Sequence, residues 1–156
     1  MRPIRYGFWI AVTAIELLLL GACRTGDAGQ RKDSKQSQVS VTEHASAVQA
    51  ILQLVIDLPQ LQPFLHPELP DRTPLVLIQT QEISPSLALK KFGHAVLIRE
   101  MRAAQGKPFL HVTHLDVSGS KATVRLQYAV EGVSGEVELK EKDGVWSVEK
   151  ARIWER

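Results

Sequence analysis

The side chains that could carry acid–base chemistry are concentrated in one predicted strand. His114 and Asp116 are two residues apart, a spacing that points both side chains to the same face of a strand. Such a pair could act as a general base or as half of a metal site. His111 is three residues from His114, which predicts the opposite face for it. Two residues are too few to define a site, so we expect surface or structural roles for them.

No sequence motif supplies the missing partners for such chemistry. The chain has no Gly-x-Ser-x-Gly nucleophile motif, no glycine-rich phosphate loop and no His-Glu-x-x-His zinc motif. Its net charge of +2 over 156 residues gives no electrostatic reason to expect nucleic acid as a partner. The sequence therefore predicts no catalytic residue, no metal and no cofactor.

The only cysteine, Cys23, lies between an apolar run and a polar segment. A lone thiol cannot form an internal disulfide, and in an exported chain it would be a reactive group without a partner. Acylation of the thiol accounts for its presence. A buried, unreactive cysteine fits poorly, because residues 24–38 contain no aliphatic side chain larger than alanine.

The first 23 residues resemble a bacterial lipoprotein signal peptide. A positively charged start is followed over residues 6–20 by an apolar run that is too short to span a bilayer comfortably. The motif Leu20-Gly21-Ala22-Cys23 then matches the lipobox position by position. The resemblance implies cleavage between Ala22 and Cys23, and a diacylglycerol with fatty acids such as palmitate on the Cys23 thiol.

The resemblance also implies a location. A chain with two or more acyl groups is held stably in a membrane, here on the extracytoplasmic side, with membrane lipid as its first partner. Arg24 follows the cysteine, where an aspartate would favour inner-membrane retention in some enteric bacteria. The resemblance therefore implies the periplasmic face of the outer membrane if the source has two membranes.

The chain divides into a signal peptide at 1–22, a lipidated N-terminus and flexible tether at 23–39, and one α+β domain at 40–156. The tether is too polar to bury the surface that folding requires. Ser40 and Glu43 form a capping-box pattern that predicts the start of a helix. Apolar residues at alternating steps of four and three continue the helix, and Pro59 marks its end.

The remaining elements are predicted from alternation, turn residues and glycines. A short helix is expected over 84–92, ending at Gly93, and a turn or helical link over 101–106. Strands are expected at 75–80, 109–117, 122–131, 135–142 and 145–154. Residues 94–99 fit either a strand or a helix, and the break at Gly93 with the Val and Ile content favours a strand. The inward parity of the last strand changes between Trp146 and Ala151, which predicts a bulge near Glu149 and Lys150.

The predicted fold class is therefore α+β. One long N-terminal helix and a short helix would pack on a mostly antiparallel, curved sheet that ends in a β-meander. The last hairpin, in which Trp146 follows the Asp143-Gly144 turn, resembles the ends of cystatin-like and nuclear-transport-factor-like domains. Tyr128, Trp146 and Trp154 could line a cavity in a cone-shaped fold of that kind, or pack in the core.

Two functions remain open from the sequence. The first is a non-catalytic binding or assembly module of the cell envelope, with an envelope protein as partner. The second is a small-ligand-binding protein or minor enzyme that uses a cavity. Candidate contacts in either case are His114, Asp116, Tyr128, Trp146 and Trp154. A closed pocket with a buried His or Asp would favour the second, and a filled core with exposed apolar surface the first.

Overall fold

The computed structural model describes residues 33–155, with side chains from Thr42 onward. It has an α+β fold in which one long helix packs on a six-stranded mixed sheet, and the sheet does not close into a barrel. The α+β class predicted from the sequence is confirmed. The predicted signal peptide and the site at Ala22 and Cys23 lie outside the described residues.

The long helix α1 covers Asp33–Ile56. It begins within the segment predicted as tether, so Ser40 lies inside the helix and is not its N-cap. No glycine or proline interrupts residues 33–40, and an acidic residue suits a helix start because it complements the helix dipole. From Val48 onward the predicted apolar stripe is buried. No helix in residues 33–155 has the length and apolar character needed to cross a membrane.

A proline-punctuated connection follows α1 and is laid against the core, as predicted. It contains a four-residue helix α2, Gln62–Leu65, which the sequence analysis did not predict. Pro63 lies in its first turn, where a missing N–H costs nothing because that group has no helical partner. Leu61 and Leu65 are both buried in the core, so the connection packs against the rest of the domain.

The sheet combines a parallel part with an antiparallel meander. Its strands are β1 (Val76–Ile78), β4 (Leu97–Arg99), β5 (Leu110–Ser118), β6 (Lys121–Tyr128), β7 (Val133–Lys142) and β8 (Val145–Glu155). They are arranged in the order β4-β1-β5-β6-β7-β8. Strands β4 and β5 both pair with β1 in parallel, and the later neighbours pair antiparallel. A 3₁₀ helix at Met101–Ala104 provides the predicted helical link.

The predicted helix over 84–92 is wrong. The segment ends instead in a two-stranded hairpin of β2 (Lys90–Lys91) and β3 (His94–Ala95). Its two turn residues, Phe92 and Gly93, have φ values of 53° and 79°. Positive φ at both central residues defines the tight turn of a two-residue hairpin, so Gly93 closes a hairpin where the sequence analysis placed a helix end.

Two β-bulges shift the pairing register within the meander. One lies in β8, where Leu139 pairs with Val148 but Glu138 pairs with Lys150, so that Glu149 is the extra residue. This confirms the bulge predicted from the change of parity. The other lies in β5 at Thr113, between Val112 and His114, and was not predicted.

The core lies between α1 and one face of the sheet. Alternate residues of β6 are buried, from Ala122 to Tyr128, and they meet Ile51, Leu52 and Val55 of the helix. The opposite, outer face is covered near β1 by Ala104 and Phe109, which pack on Val76 and Ile78. Across β5 to β8 the outer face carries mainly polar side chains, as the alternation predicted.

Candidate functional site

A groove of about 580 Å³ opens between the middle of α1 and the tips of the two C-terminal hairpins. Helix α1 contributes Glu43, His44 and Ala47 to its lining, while the β7–β8 hairpin contributes Glu141 and Trp146. The groove is partly open to solvent. Because it brings polar and aromatic side chains from distant segments together in a concave surface, we take it as the candidate site.

The local sequence explains why the helix leaves space here. The helix residues that line the groove beyond Glu43 and His44 are small: Ser46, Ala47 and Ala50. Side chains of this size leave space beside the hairpin tips, whereas Ile51 and Leu52, which directly follow Ala50, are fully buried in the core. On the sheet side, the Asp143-Gly144 turn brings Trp146 under the helix, where only 9% of its surface is exposed.

The groove combines negative charge with the small exposed part of the Trp146 indole. Glu43 and Glu141 bring two carboxylates, and neither Lys nor Arg is among the described residues that line it. A positively charged amine or guanidinium would find carboxylate partners here and the indole of Trp146 beside them. Attraction of a cation to a tryptophan face contributes about 0.5–2 kcal/mol, depending on how far both are desolvated.

The sequence-predicted pair His114 and Asp116 lies away from this groove, on the outer face of the sheet. In the β5–β6 register His114 is opposite Arg125 and Asp116 is opposite Thr123, so the two share a face as predicted. Both are exposed, and Asp116 accepts a hydrogen bond of 3.1 Å from Ser118 Oγ.

The predicted separation of His111 from His114 is wrong. The bulge at Thr113 shifts the register, so that His111 pairs with Gln127 and therefore lies on the same face as His114. Even so, in the part of the chain from 33 to 155 no three His, Cys, Asp or Glu side chains come together in a way that could hold a metal ion.

Tyr128 is fully buried and belongs to a polar cluster that the sequence analysis did not find. Its hydroxyl accepts a 2.9 Å hydrogen bond from Arg72 Nη1, and the Arg72 guanidinium lies 5.5 Å from the ring centroid. Arg72 also donates from Nη2 to Glu131. Burial by itself would lower the pKa of Arg72, but the hydrogen bonds to Tyr128 and Glu131 raise it above its usual value. The cluster links the proline-rich connection to the sheet, and none of its three residues lines the groove.

The two tryptophans of the last strand lie on opposite faces of the sheet. Trp146 points toward α1 and lines the groove, while Trp154 pairs with Ser134 on the outer face and is 44% exposed. Of the five predicted contact residues, the structure therefore places only Trp146 in the groove. It does not bring the five together.

Sequence reasoning missed the two carboxylates of the groove for different reasons. Glu43 matches the third helical position of a capping-box pattern, which is an ordinary local role. Glu141 has the inward parity of Val137 and Leu139, so this charged residue at an inward position was a signal that the sequence analysis did not use. The role of Arg72 could have been predicted from the sequence, because a charged residue inside an apolar, proline-rich segment that packs on a core needs a polar partner. Comparisons of the chain with protein-family models, with curated proteins and with solved structures found no match.

Proposed function

We propose that this chain is a membrane-anchored bacterial lipoprotein of the cell envelope, and that its domain is a non-catalytic binding module. The observation that carries the binding role is the open groove in which Glu43 and Glu141 accompany Trp146. The partner expected there is an envelope protein that presents a lysine or arginine side chain. The anchor rests on the lipobox resemblance at Leu20-Gly21-Ala22-Cys23.

The positions of the candidate acid–base residues support binding over catalysis. A general base needs a reactant held beside it, out of bulk water, in a fixed geometry. His114 and Asp116 are instead exposed on a flat sheet face, and Asp116 is hydrogen-bonded to Ser118. His44, which lines the groove, is also exposed.

The second candidate function is binding of a small ligand, with the domain acting as a relative of the cystatin-like or nuclear-transport-factor-like folds. A long helix laid over a sheet that ends in a meander supports that analogy of architecture. The groove volume also falls within the range of about 300–1,000 Å³ that is usual for small-molecule sites. A cationic small molecule would use the same three side chains, Glu43, Glu141 and Trp146.

The anchor is tested by metabolic labelling with radioactive palmitate. The wild-type chain is expected to incorporate label and to sediment with membranes, whereas Cys23→Ala should lose essentially all label, because the thiol is the acceptor. Arg24→Lys leaves the four-residue motif intact and should label like the wild type. Equal labelling of the wild type and Cys23→Ala would contradict a lipid on Cys23.

The groove is tested by site-specific photocrosslinking in native membranes. A photoreactive residue in place of Ala47, inside the groove, is expected to give a discrete protein adduct, and one in place of Thr123, on the outer face, is not. Adding Glu43→Lys and Glu141→Lys should reduce the Ala47 adduct about tenfold, because two attractive charges become repulsive. A protein adduct of unchanged yield after both reversals would contradict the proposed partner chemistry. Loss of any protein adduct, together with a small mass bound to the purified wild type, would favour the ligand-binding alternative.

A further inference from the structure

Strand β8 forms one edge of the sheet and is its longest strand, with 11 residues. Its only strand neighbour among the described residues is β7. Among residues 33–155, no backbone hydrogen bond joins the other side of β8 to a turn or loop. A long free edge is a template for pairing with another strand.

The orientation of the free backbone groups follows from the turn. In an antiparallel pair, alternate residues direct both backbone groups to the neighbouring strand, and those between direct both away. The two-residue turn closes on the pair Lys142 and Val145, so Val145 faces β7 and Trp146 directs its N–H and C=O outward. Accordingly Glu141, which is opposite Trp146, directs its backbone groups away from β8. Its backbone N–H donates a 2.8 Å hydrogen bond to the Ser120 carbonyl.

The bulge changes which residues face outward farther along the strand. Before it, the outward-directed residues are Trp146 and Val148. Glu149 is the extra residue of the bulge. After it, the residues that direct their backbone groups outward are Ala151 and Ile153. These outward residues are therefore arranged symmetrically about the Glu149-Lys150 bond.

This symmetry makes the edge self-complementary. If a second β8 runs antiparallel with Glu149 opposite Lys150, then Val148 is opposite Ala151 and Trp146 is opposite Ile153. Every outward backbone group then faces an outward backbone group of the other copy, as an isologous two-fold contact requires. Without the bulge, the same register would set outward residues against inward ones.

The side chains fit the same register. On the outer face Val145, which is 67% exposed, would lie opposite the 44% exposed Trp154. Both are large apolar side chains left open in the single chain, and cross-strand pairs of this kind stabilise sheets. At the centre, Glu149 and Lys150 would meet their opposite charges twice, once on each side of the axis.

We propose that β8 pairs with β8 of a second copy of this chain, in the register that places Glu149 opposite Lys150. The two sheets become continuous across the contact, with both α1 helices on one side. Lysines and bulges often protect an edge from pairing. In this register Lys150, whose Nζ lies 3.4 Å from Glu138 Oε1 of its own chain, also meets Glu149 of the second copy, and each bulge faces an identical bulge.

The test is a charge exchange at the centre of the contact, followed by analytical ultracentrifugation of the full lipoprotein in detergent. Glu149→Lys sets lysine against lysine, and Lys150→Glu sets glutamate against glutamate. Each variant alone should dimerise about tenfold more weakly, because two attractive pairs become repulsive. Both positions are exposed, so neither change should prevent folding. Lys150→Glu also replaces the exposed ion pair with Glu138 by a like-charge pair, which should cost at most about 1 kcal/mol of stability.

Mixing the two variants provides the matched control. In the mixed pair, one chain carries lysine at both central positions and the other carries glutamate at both. A heterodimer should therefore form with near wild-type affinity, and the double exchange in one chain should also restore dimerisation. A wild-type protein that stays monomeric at about 100 μM would overturn the proposal. Dimers that ignore both single reversals would overturn it as well, because they must use another surface.

Discussion

Replacing Glu131 with alanine is expected to lower the free energy of unfolding by about 3 kcal/mol. The substitution leaves the Arg72 guanidinium, whose side chain is only 9% exposed, without its counter-ion. Removing one partner of a buried ion pair costs about 3–5 kcal/mol, and the lower end applies because the Glu131 side chain is 24% exposed. Urea unfolding followed by circular dichroism measures the loss.

The control is a double-mutant cycle with Arg72→Met. Methionine has a similar length and no charge, so in that background Glu131→Ala should cost less than about 1 kcal/mol. Arg72→Met alone should cost less than Glu131→Ala alone, since it removes the charge that needs a partner. Equal costs of Glu131→Ala in both backgrounds would show that the ion pair does not stabilise the domain. Tyr128→Phe, which deletes one acceptor of Arg72, should cost about 1 kcal/mol.

Replacing Gly135 with alanine is expected to cost about 2 kcal/mol of stability through overpacking. Gly135 lies near the start of β7, in line with the inward residues Val133 and Val137. A Cβ atom there would approach Ile153 Cδ1 to 2.5 Å and two side-chain atoms of Leu126 to 3.2 Å. Leu126 is buried and cannot retreat, so the strain must be relieved mainly by movement of Ile153 in β8.

The rescue variant follows from the identity of the clashing atom. Ile153→Val removes Cδ1, so the double variant Gly135→Ala, Ile153→Val should recover most of the stability lost by Gly135→Ala, although Ile153→Val alone costs about 1 kcal/mol. Thermal unfolding of the four proteins gives the coupling. Strictly additive losses would contradict a direct clash between these two positions.

Local patterns predicted most of the fold because the responsible interactions are local. The alternation in β6 depends only on the strand period, and the Asp143-Gly144 turn only on two residues with φ values of 53° and 78°. The bulge at Glu149 was predictable because two inward pairs flank it with opposite parity. At Gly93 the local signal was ambiguous, since positive φ serves a helix end and a tight hairpin equally well.

The parallel part of the sheet and the site depended on contacts between distant segments. The pairing of β1 with both β4 and β5 depends on where the connecting segments pack. The β1 segment is too short for its own sequence to specify the pairing register. The bulge at Thr113 was marked by a change of apolar parity, from Leu110 and Val112 to Leu115 and Val117, which the sequence analysis did not use. Glu43 and Glu141 meet in one groove only because the helix crosses the hairpin tips.

The sequence alone determined the α+β class, the meander and its turns, and the bulge in the last strand, because neighbouring residues set backbone conformation and side-chain parity. The expected location at a membrane rests on four consecutive residues ending at Cys23, and it remains a prediction. Tertiary structure decided the mixed strand order, the burial of Arg72 beside Tyr128, and the groove over Trp146. Each of these depends on which segments, distant in the sequence, pack against one another, and no single stretch of the chain specifies that packing.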